Sequence, residues 1–352
     1  MQPVILKLEH GLSYGASGDD VFTLNAAIAG KVEDATVKGT QVVLRSAIGY
    51  AAVSRSMSDG AAFESATKFL LANMLRSITK DLEIRCLYGQ VGLMTIASVA
   101  LNVVTPAAGE WAPGIWAASE DMVVEIRSSG GTLRGTATVV STDFDAKTIT
   151  IDATPGGTVA TDIIYRSGTY GKEFAGIHKI ISNTGVLFGI DASVYALWKG
   201  NTYNAAGALS FNKIQIAVSK AVAKGLDGDV VVLVNPEVWA DLLNDQAALR
   251  MYDSSYDSKK MEQGSKELKF HGQNGVIEIL PSINCKEGYA YVLYMDDFVR
   301  IGSSDVTFQR PGRGDDFFRE LENQSGYELR AYADYALFTF SPAKNVLITG
   351  IA

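Results

Sequence analysis

The sequence predicts an α+β fold in which helices pack on sheets and a small antiparallel β module interrupts the host domain. Three stretches carry this reading. Residues 58–88 hold a long run with helical apolar spacing, residues 122–152 alternate in the manner of strands, and residues 225–243 read as a turn, a buried strand and a capped helix.

In chain order, residues 1–58 come first, with strand-like pieces at Val4–Leu8 and Thr40–Arg45 among many glycines and alanines. No helical period there is long enough to nucleate a domain. The segment holds five basic residues (Lys7, Lys31, Lys38, Arg45, Arg55) and five acidic ones (Glu9, Asp19, Asp20, Glu33, Asp34), so it is not a charged disordered tail. An ordered, extended arm that lies on other copies of the chain is the expected form.

Ser58-Asp59 then opens a helix that runs to about Tyr88 and stops at Gly89. Ala66, Leu70, Met74, Ile78, Leu82 and Cys86 fall four apart, with Phe63, Thr67, Leu71 and Leu75 as an adjacent row. Together they predict one broad apolar face on a rod of roughly 45 Å.

Residues 105–168 change character. Met122–Arg127, Leu133–Thr142 and Lys147–Asp152 alternate as strands, and Asp143-Phe144-Asp145-Ala146 makes a turn between two of them. This predicts a small antiparallel barrel or sandwich whose ends lie close together, able to be deleted without unfolding its host. It carries eight acidic and four basic residues, half of the chain's net charge of -8.

From Gly171 onward the pattern is mixed. Phe211–Ala223 predicts a helix capped by Ser210, with Ile214, Val218, Ala221 and Val222 inward and Gly225 beyond its end. Val230–Val234 reads as a buried strand; Asn235 caps the helix that follows, Pro236 occupies its first position and Glu237 its first turn. Leu268–Phe270, Val276–Ile279, Tyr289–Met295 and Gly326–Phe340 complete the predicted strands.

With its neighbours added, this last region resembles the A-domain of tailed-bacteriophage major capsid proteins, the shell-forming family with the Hong Kong 97 type fold. The residues are Trp198-Lys199-Gly200-Asn201 and Leu209-Ser210 upstream, Ala247-Ala248-Leu249-Arg250 downstream, then Phe270-His271-Gly272-Gln273-Asn274-Gly275. It is the order of the pieces that carries the resemblance, over about residues 20–104 and 170–352. It implies an N-terminal arm at 1–29, an E-loop at 30–57, a P-domain with spine helix at 58–104, an inserted β-barrel-like domain at 105–168, an A-domain at 169–300 and a P-domain completion at 301–352.

Composition agrees. Apolar residues make up 47% and mean hydropathy is +0.10, which leaves apolar surface to be buried between subunits. A net charge of -8 argues against a dedicated nucleic-acid binder. Cys86 and Cys285 form no disulfide framework or zinc motif. No apolar run is long enough to span a membrane and Met1–Gly30 is no signal peptide, so the protein is expected to stay where it is made.

No catalytic signature is found. His10, His178 and His271 are more than 90 residues apart and in no ligand motif, and there is no nucleophile elbow or phosphate loop. Gly312-Arg313-Gly314-Asp315-Asp316 reads as a glycine-rich loop with salt-bridging charges, Asp296-Asp297 as a turn and Asp241–Asp245 as a solvated helix face. No cofactor is expected.

The resemblance implies a structural protein, a major capsid protein of a tailed double-stranded DNA phage that assembles into pentamers and hexamers of an icosahedral shell. DNA would be enclosed without sequence specificity. Partners would be a separate scaffolding protein, a portal and possible decoration proteins, with assembly in the host bacterial cytoplasm and a final place in the virion. The expected inter-subunit contacts are Arg45 and Arg55 in the E-loop and Asp253, Asp257, Lys259 and Lys260 at the ring-facing tip of the A-domain. Some relatives crosslink a lysine to an asparagine; Lys31 and Lys38 lie in the E-loop, with nothing to show that either reacts. Two alternatives stay open: an encapsulin-type nanocompartment enclosing enzyme cargo and, more distantly, a carboxylate-dependent hydrolase.

Overall fold

A computed structural model of the chain describes residues 1–18, 21–49, 60–243, 268–273, 275–309 and 318–352. The chain opens with β1 (Gln2–Lys7), β2 (Lys31–Ala35) and β3 (Thr40–Gly49), followed by helix α1 (Gly60–Tyr88). Then come β4 (Met94–Ala100), β5 (Val103–Pro106), α2 (Pro113–Trp116), β6 (Val123–Arg127), β7 (Leu133–Asp143), β8 (Thr148–Ile151) and β9 (Ile163–Arg166). The next region holds α3 (Ile177–Ser182), β10 (Val186–Leu187), β11 (Ile190–Asp191), β12 (Asn201–Asn204), α4 (Phe211–Val222), β13 (Val230–Val234) and α5 (Pro236–Leu243). The chain closes with β14 (Leu268–His271), β15 (Val276–Pro281), β16 (Ala290–Leu293), β17 (Phe298–Thr307), β18 (Phe318–Glu320), β19 (Gly326–Thr339) and β20 (Val346–Thr349).

Helix α1 has no glycine or proline between Ala61 and Tyr88, which suits its 29 residues and length of about 44 Å. It ends because a Cβ at Gly89 would lie 2.3 Å from the Phe174 carbonyl oxygen, so the chain can turn there only without a side chain. The predicted row packs on the core, with Leu70, Leu71 and Cys86 against the cluster that buries Met74, Ile78 and Leu82, and Leu75 departs from it. Met74, Ile78 and Leu82 are buried against the sheet of β17, β19, β18 and β3, while Leu75 of the adjacent row is exposed and Leu71 half-buried. The side chains of Phe63, Ala66 and Thr67 lie outside the described residues.

Strand β19 is the axis of that sheet. It pairs antiparallel with β3 from Gly326 to Tyr335 on one side, and with β17 and β18 on the other.

A closed barrel of order β4-β5-β8-β7-β6-β9 follows. It starts at Met94, earlier than the expected boundary of 105, because β4 closes the barrel between β5 and β9. The pattern of β4, Met-Thr-Ile-Ala-Ser-Val-Ala, alternates only weakly, and neither it nor β5 and β9 stands out by period. The Asp143 turn is as expected: its Oδ1 accepts from the amides of Asp145 and Ala146.

The third unit is a six-stranded mixed sheet of order β12-β20-β16-β13-β15-β14. Val230, Val232 and Val234 point into the core beneath α4 and α5, and Leu233 points to the other face. Both predicted caps are present. Ser210 Oγ accepts from the Lys213 amide, and Asn235 Oδ1 accepts from the Glu237 amide at 2.9 Å. Gly225 takes φ +97 just past α4, the left-handed stop that glycine allows.

Candidate functional site

The barrel is fastened to the six-stranded sheet by a buried polar seam. Gly109 and Gly288 let two backbones touch: a Cβ on Gly109 would stand 2.6 Å from the Gly288 Cα, and the Gly288 amide donates to the Gly109 carbonyl at 2.8 Å. One residue on, the Glu287 amide donates to the Trp111 carbonyl. This approach brings the Lys286 ammonium 2.6 Å from Glu110 Oε2, while Tyr289 donates its hydroxyl to Oε1 at 2.7 Å and the Thr95 amide to Oε2 at 3.3 Å. Lys286 also lies 4.6 Å over the Tyr88 ring at the end of α1, and its amide donates to the Tyr88 hydroxyl. Three parts of the fold therefore meet at one ion pair.

Burial pushes the Glu110 carboxyl up, but Lys286, Tyr289 and the Thr95 amide more than offset this, and its pKa falls below the ordinary range. Beside it, His178 Nδ1 is 3.0 Å from the Tyr291 hydroxyl; burial, then the charge of Lys286, lowers its pKa to about 4. Burial raises Tyr88, Tyr289 and Tyr291, and pushes the Cys285 thiol up to about 12. These shifts favour a neutral imidazole, protonated tyrosines and a protonated thiol near neutral pH. A cleft of about 970 Å³ runs between α1 and the base of the barrel, but its lining includes neither Glu110 nor Lys286. The seam joins the barrel, the six-stranded sheet and the end of α1.

Two further ties frame it. Lys147 at the β7–β8 turn reaches Glu237 at 3.0 Å and Glu287 at 2.8 Å, and Phe144 meets Trp111 edge-on. At the other end, Arg166 of β9 pairs with Asp81 of α1, which also holds Arg85 at 2.8 Å. The core agrees, since Trp111, Ile115 and Trp116 pack in one cluster with Cys285, Tyr291, Leu293 and Leu347 of the sheet. Barrel and sheet share a core, which counts against the expectation of a separable insertion.

The N-terminal segment is the opposite case. β1 and β2 pair, and their Val4, Leu6 and Ala35 are buried against Trp198 and Phe338. Beyond them the chain doubles back: the His10 amide donates to the Ile28 carbonyl and Asn25 Nδ2 to the Leu12 carbonyl. It is a finger rather than the single extended arm expected. Leu8, Leu12, Tyr14, Val21, Leu24 and Ile28 along it are exposed, Val21 at 90%.

Of the expected contact residues, Arg45 is largely exposed and forms an ion pair of 2.9 Å with Glu328 of its own chain, which Arg330 also holds. Arg55, Asp253, Asp257, Lys259 and Lys260 lie outside the described residues, as do Gly312–Asp316. Lys31 pairs with Glu33 at 3.1 Å, and Lys38 is exposed. Asp296 and Asp297 sit in a 3₁₀ turn, as read from sequence. Among the described residues no three His, Cys, Asp or Glu side chains gather to hold a metal, and no helix is long and apolar enough to cross a membrane. Sequence reasoning missed the seam, whose partners Glu110 and Lys286 are 176 residues apart and carry no local motif.

No protein-family model matches the chain, and no curated protein does. Among solved structures, the capsid asymmetric unit of cyanophage A-1(L) is similar over 99% of this chain and 87% of its own, at 12% identity and a TM-score of 0.51. The capsid of a native GTA particle is similar over 99% and 84%, at 9% identity and a TM-score of 0.46. An encapsulin complex from Synechococcus elongatus is similar over 46% and 58%, at 11% identity and a TM-score of 0.27. The end-to-end likeness to the cyanophage capsid chain, with the spine helix, the β19 sheet and the six-stranded sheet in place, gives this chain the Hong Kong 97 type major capsid fold with a small closed barrel inserted.

Proposed function

We propose that the chain is the major capsid protein of a tailed double-stranded DNA phage, a non-enzymatic subunit that builds an icosahedral shell from pentamers and hexamers. One observation carries the reading: the fold is similar to a capsid chain along 99% of its length. The exposed finger supports it, because apolar side chains along residues 8–28 gain nothing in a lone subunit and are buried once a neighbour covers them. The partners are other copies of the chain, a scaffolding protein, a portal, decoration proteins and enclosed DNA; assembly takes place in the host cytoplasm and the product is the virion. Arg45 and Arg55 in the E-loop and Asp253, Asp257, Lys259 and Lys260 at the A-domain tip supply polar contacts between subunits, whose geometry can adjust to five-fold and six-fold rings.

Electron microscopy of the purified chain, alone and co-expressed with its scaffolding protein, tests this. Closed shells of uniform size are expected, and native particles should hold nuclease-protected DNA. A chain that stays monomeric at every concentration and with scaffold would refute the shell; shells enclosing a protein cargo instead of DNA would refute the phage assignment.

A further inference from the structure

Residues 192–226 form a stretch of thirty-five that contains no Asp or Glu, although the chain has 39 acidic residues among 352 and would place about four in a stretch of that length. The same stretch contains Lys199, Lys213, Lys220 and Lys224. The fold gathers them. Lys213, Lys220 and Lys224 are seven and four residues apart on α4 and its end, so they form one line about 17 Å long. Each ammonium is anchored on a main-chain carbonyl beside the sheet-edge strand β12: Lys213 on Ala208 at 2.6 Å, Lys220 on Thr202 at 3.0 Å, Lys224 on Lys199 at 2.9 Å.

These carbonyls orient the ammonium groups without neutralising them. Among the described residues no ion pair includes any of the four, whereas Lys31, Lys147, Lys269, Lys286 and Lys344 all have carboxylate partners. The carboxylate next in sequence, Asp227, is held by Lys344 at 3.1 Å. Burial and then the charge of Lys199 lower the Lys224 pKa, as expected where like charges crowd. An ammonium has three donors and each carbonyl uses one, so donors remain for a ligand, although Lys220 also lies 5.2 Å over the Tyr203 ring. Asn212, Thr202 and Asn204 beside the line are exposed and uncharged.

We propose that Lys199, Lys213, Lys220 and Lys224 form a phosphate-binding stripe for duplex DNA, bound without regard to sequence. A duplex presents one negative charge per about 1.7 Å of its axis, so a 17 Å line of cations finds phosphates in any register. Main-chain anchoring lowers the cost of ordering the Lys213, Lys220 and Lys224 side chains on binding. The stripe rests on the shell reading only for its orientation: in a DNA-filled container it faces inward.

The test is fluorescence anisotropy of a random-sequence duplex with the full chain across a salt series. It compares wild type, K213Q/K220Q/K224Q and the charge-matched control K7Q/K38Q/K172Q, whose lysines are exposed elsewhere. Three lost phosphate contacts should reduce the slope of log K against log salt by about 2.7, at about 0.9 per contact, while the control keeps the wild-type slope. Adding a cation with Ala223→Lys should steepen the slope by about 0.9 and keeps the test available if the glutamine triple does not fold. Equal slopes for wild type, the triple and Ala223→Lys would overturn the proposal. Loss of particle yield in the triple with an unchanged DNA slope would overturn it too, by assigning the stripe to an acidic surface of another copy. If wild type forms no shells yet shows the stripe-dependent slope, the shell reading falls and the stripe stands.

Discussion

The seam between barrel and sheet and the N-terminal finger are opposite solutions for chain that cannot form a core of its own. At and around the seam charges are paired within the chain: Glu110 has Lys286 and Tyr289, Lys147 has Glu237 and Glu287, and Arg166 has Asp81. Along the finger, side chains as apolar as Val21 and Leu24 meet water, and only the base at Val4, Leu6 and Ala35 is buried. The difference separates intrinsic from borrowed stability. A substitution in the seam should be felt by the lone subunit, whereas one in the finger should be felt only by an assembly.

The strongest break is deletion of Pro106–Ser167 with a short glycine-serine linker. It removes four of the six barrel strands and strips Cys285, Tyr291, Leu293 and Leu347 of their partners Trp111, Ile115 and Trp116, so soluble folded protein should be lost. Recovery of a folded host with a cooperative thermal transition would show that the shared core is dispensable. Lys286→Ala comes next. It leaves Glu110 buried without its cation and should destabilise the subunit by about 3–5 kcal/mol, read from urea unfolding; a loss below about 1 kcal/mol would mean that water reaches the seam.

Acid probes the same place through His178. Its folded pKa, about 4, lies below the ordinary 6.5, so between these values the unfolded chain binds the extra proton and stability falls as pH falls. Lys286, Lys179, Glu110, Tyr289 and Tyr291 surround or contact the ring, and the two lysines oppose its charging. The loss from pH 7 to pH 4 should be on the order of 3 kcal/mol, and His178→Gln should flatten that part of the pH profile. An unchanged profile in the variant would assign acid sensitivity to other groups.

The smallest effect on the subunit sharpens the comparison most. Leu24→Ser should change monomer stability by less than about 0.5 kcal/mol, as for an exposed site. Under the shell reading it should nonetheless lower the yield of closed particles. A matching loss of monomer stability would place the finger in the intrinsic core.

How much of this was legible in the sequence varied with the range of the interaction. The cap at Ser210, the Asn235-Pro236-Glu237 helix start and the stop at Gly225 were all readable, because each depends on bonds between near neighbours. The strands β6, β7, β8 and β13 were readable from period. Strands β4, β5 and β9 were not, because closure of the barrel, not alternation, holds them in place. The doubled-back finger was missed for a similar reason: main-chain bonds such as His10 to Ile28 have no side-chain signature. The acid-free stretch at 192–226 is visible in the sequence, but its meaning depends on Lys199, Lys213, Lys220 and Lys224 sharing one edge.

By itself, then, the sequence determined the α+β class, the spine helix, the barrel-like insertion and the strand-to-helix turn of the A-domain, since local periodicity and capping fix these wherever the chain goes. Only the tertiary structure decided that barrel and sheet are one body and that the first thirty-five residues are a finger with a buried base. Glu110 and Lys286 can recognise each other only after Gly109 and Gly288 have brought their backbones together, and a hydrophobic residue such as Leu24 does not announce whether its own chain or another will cover it.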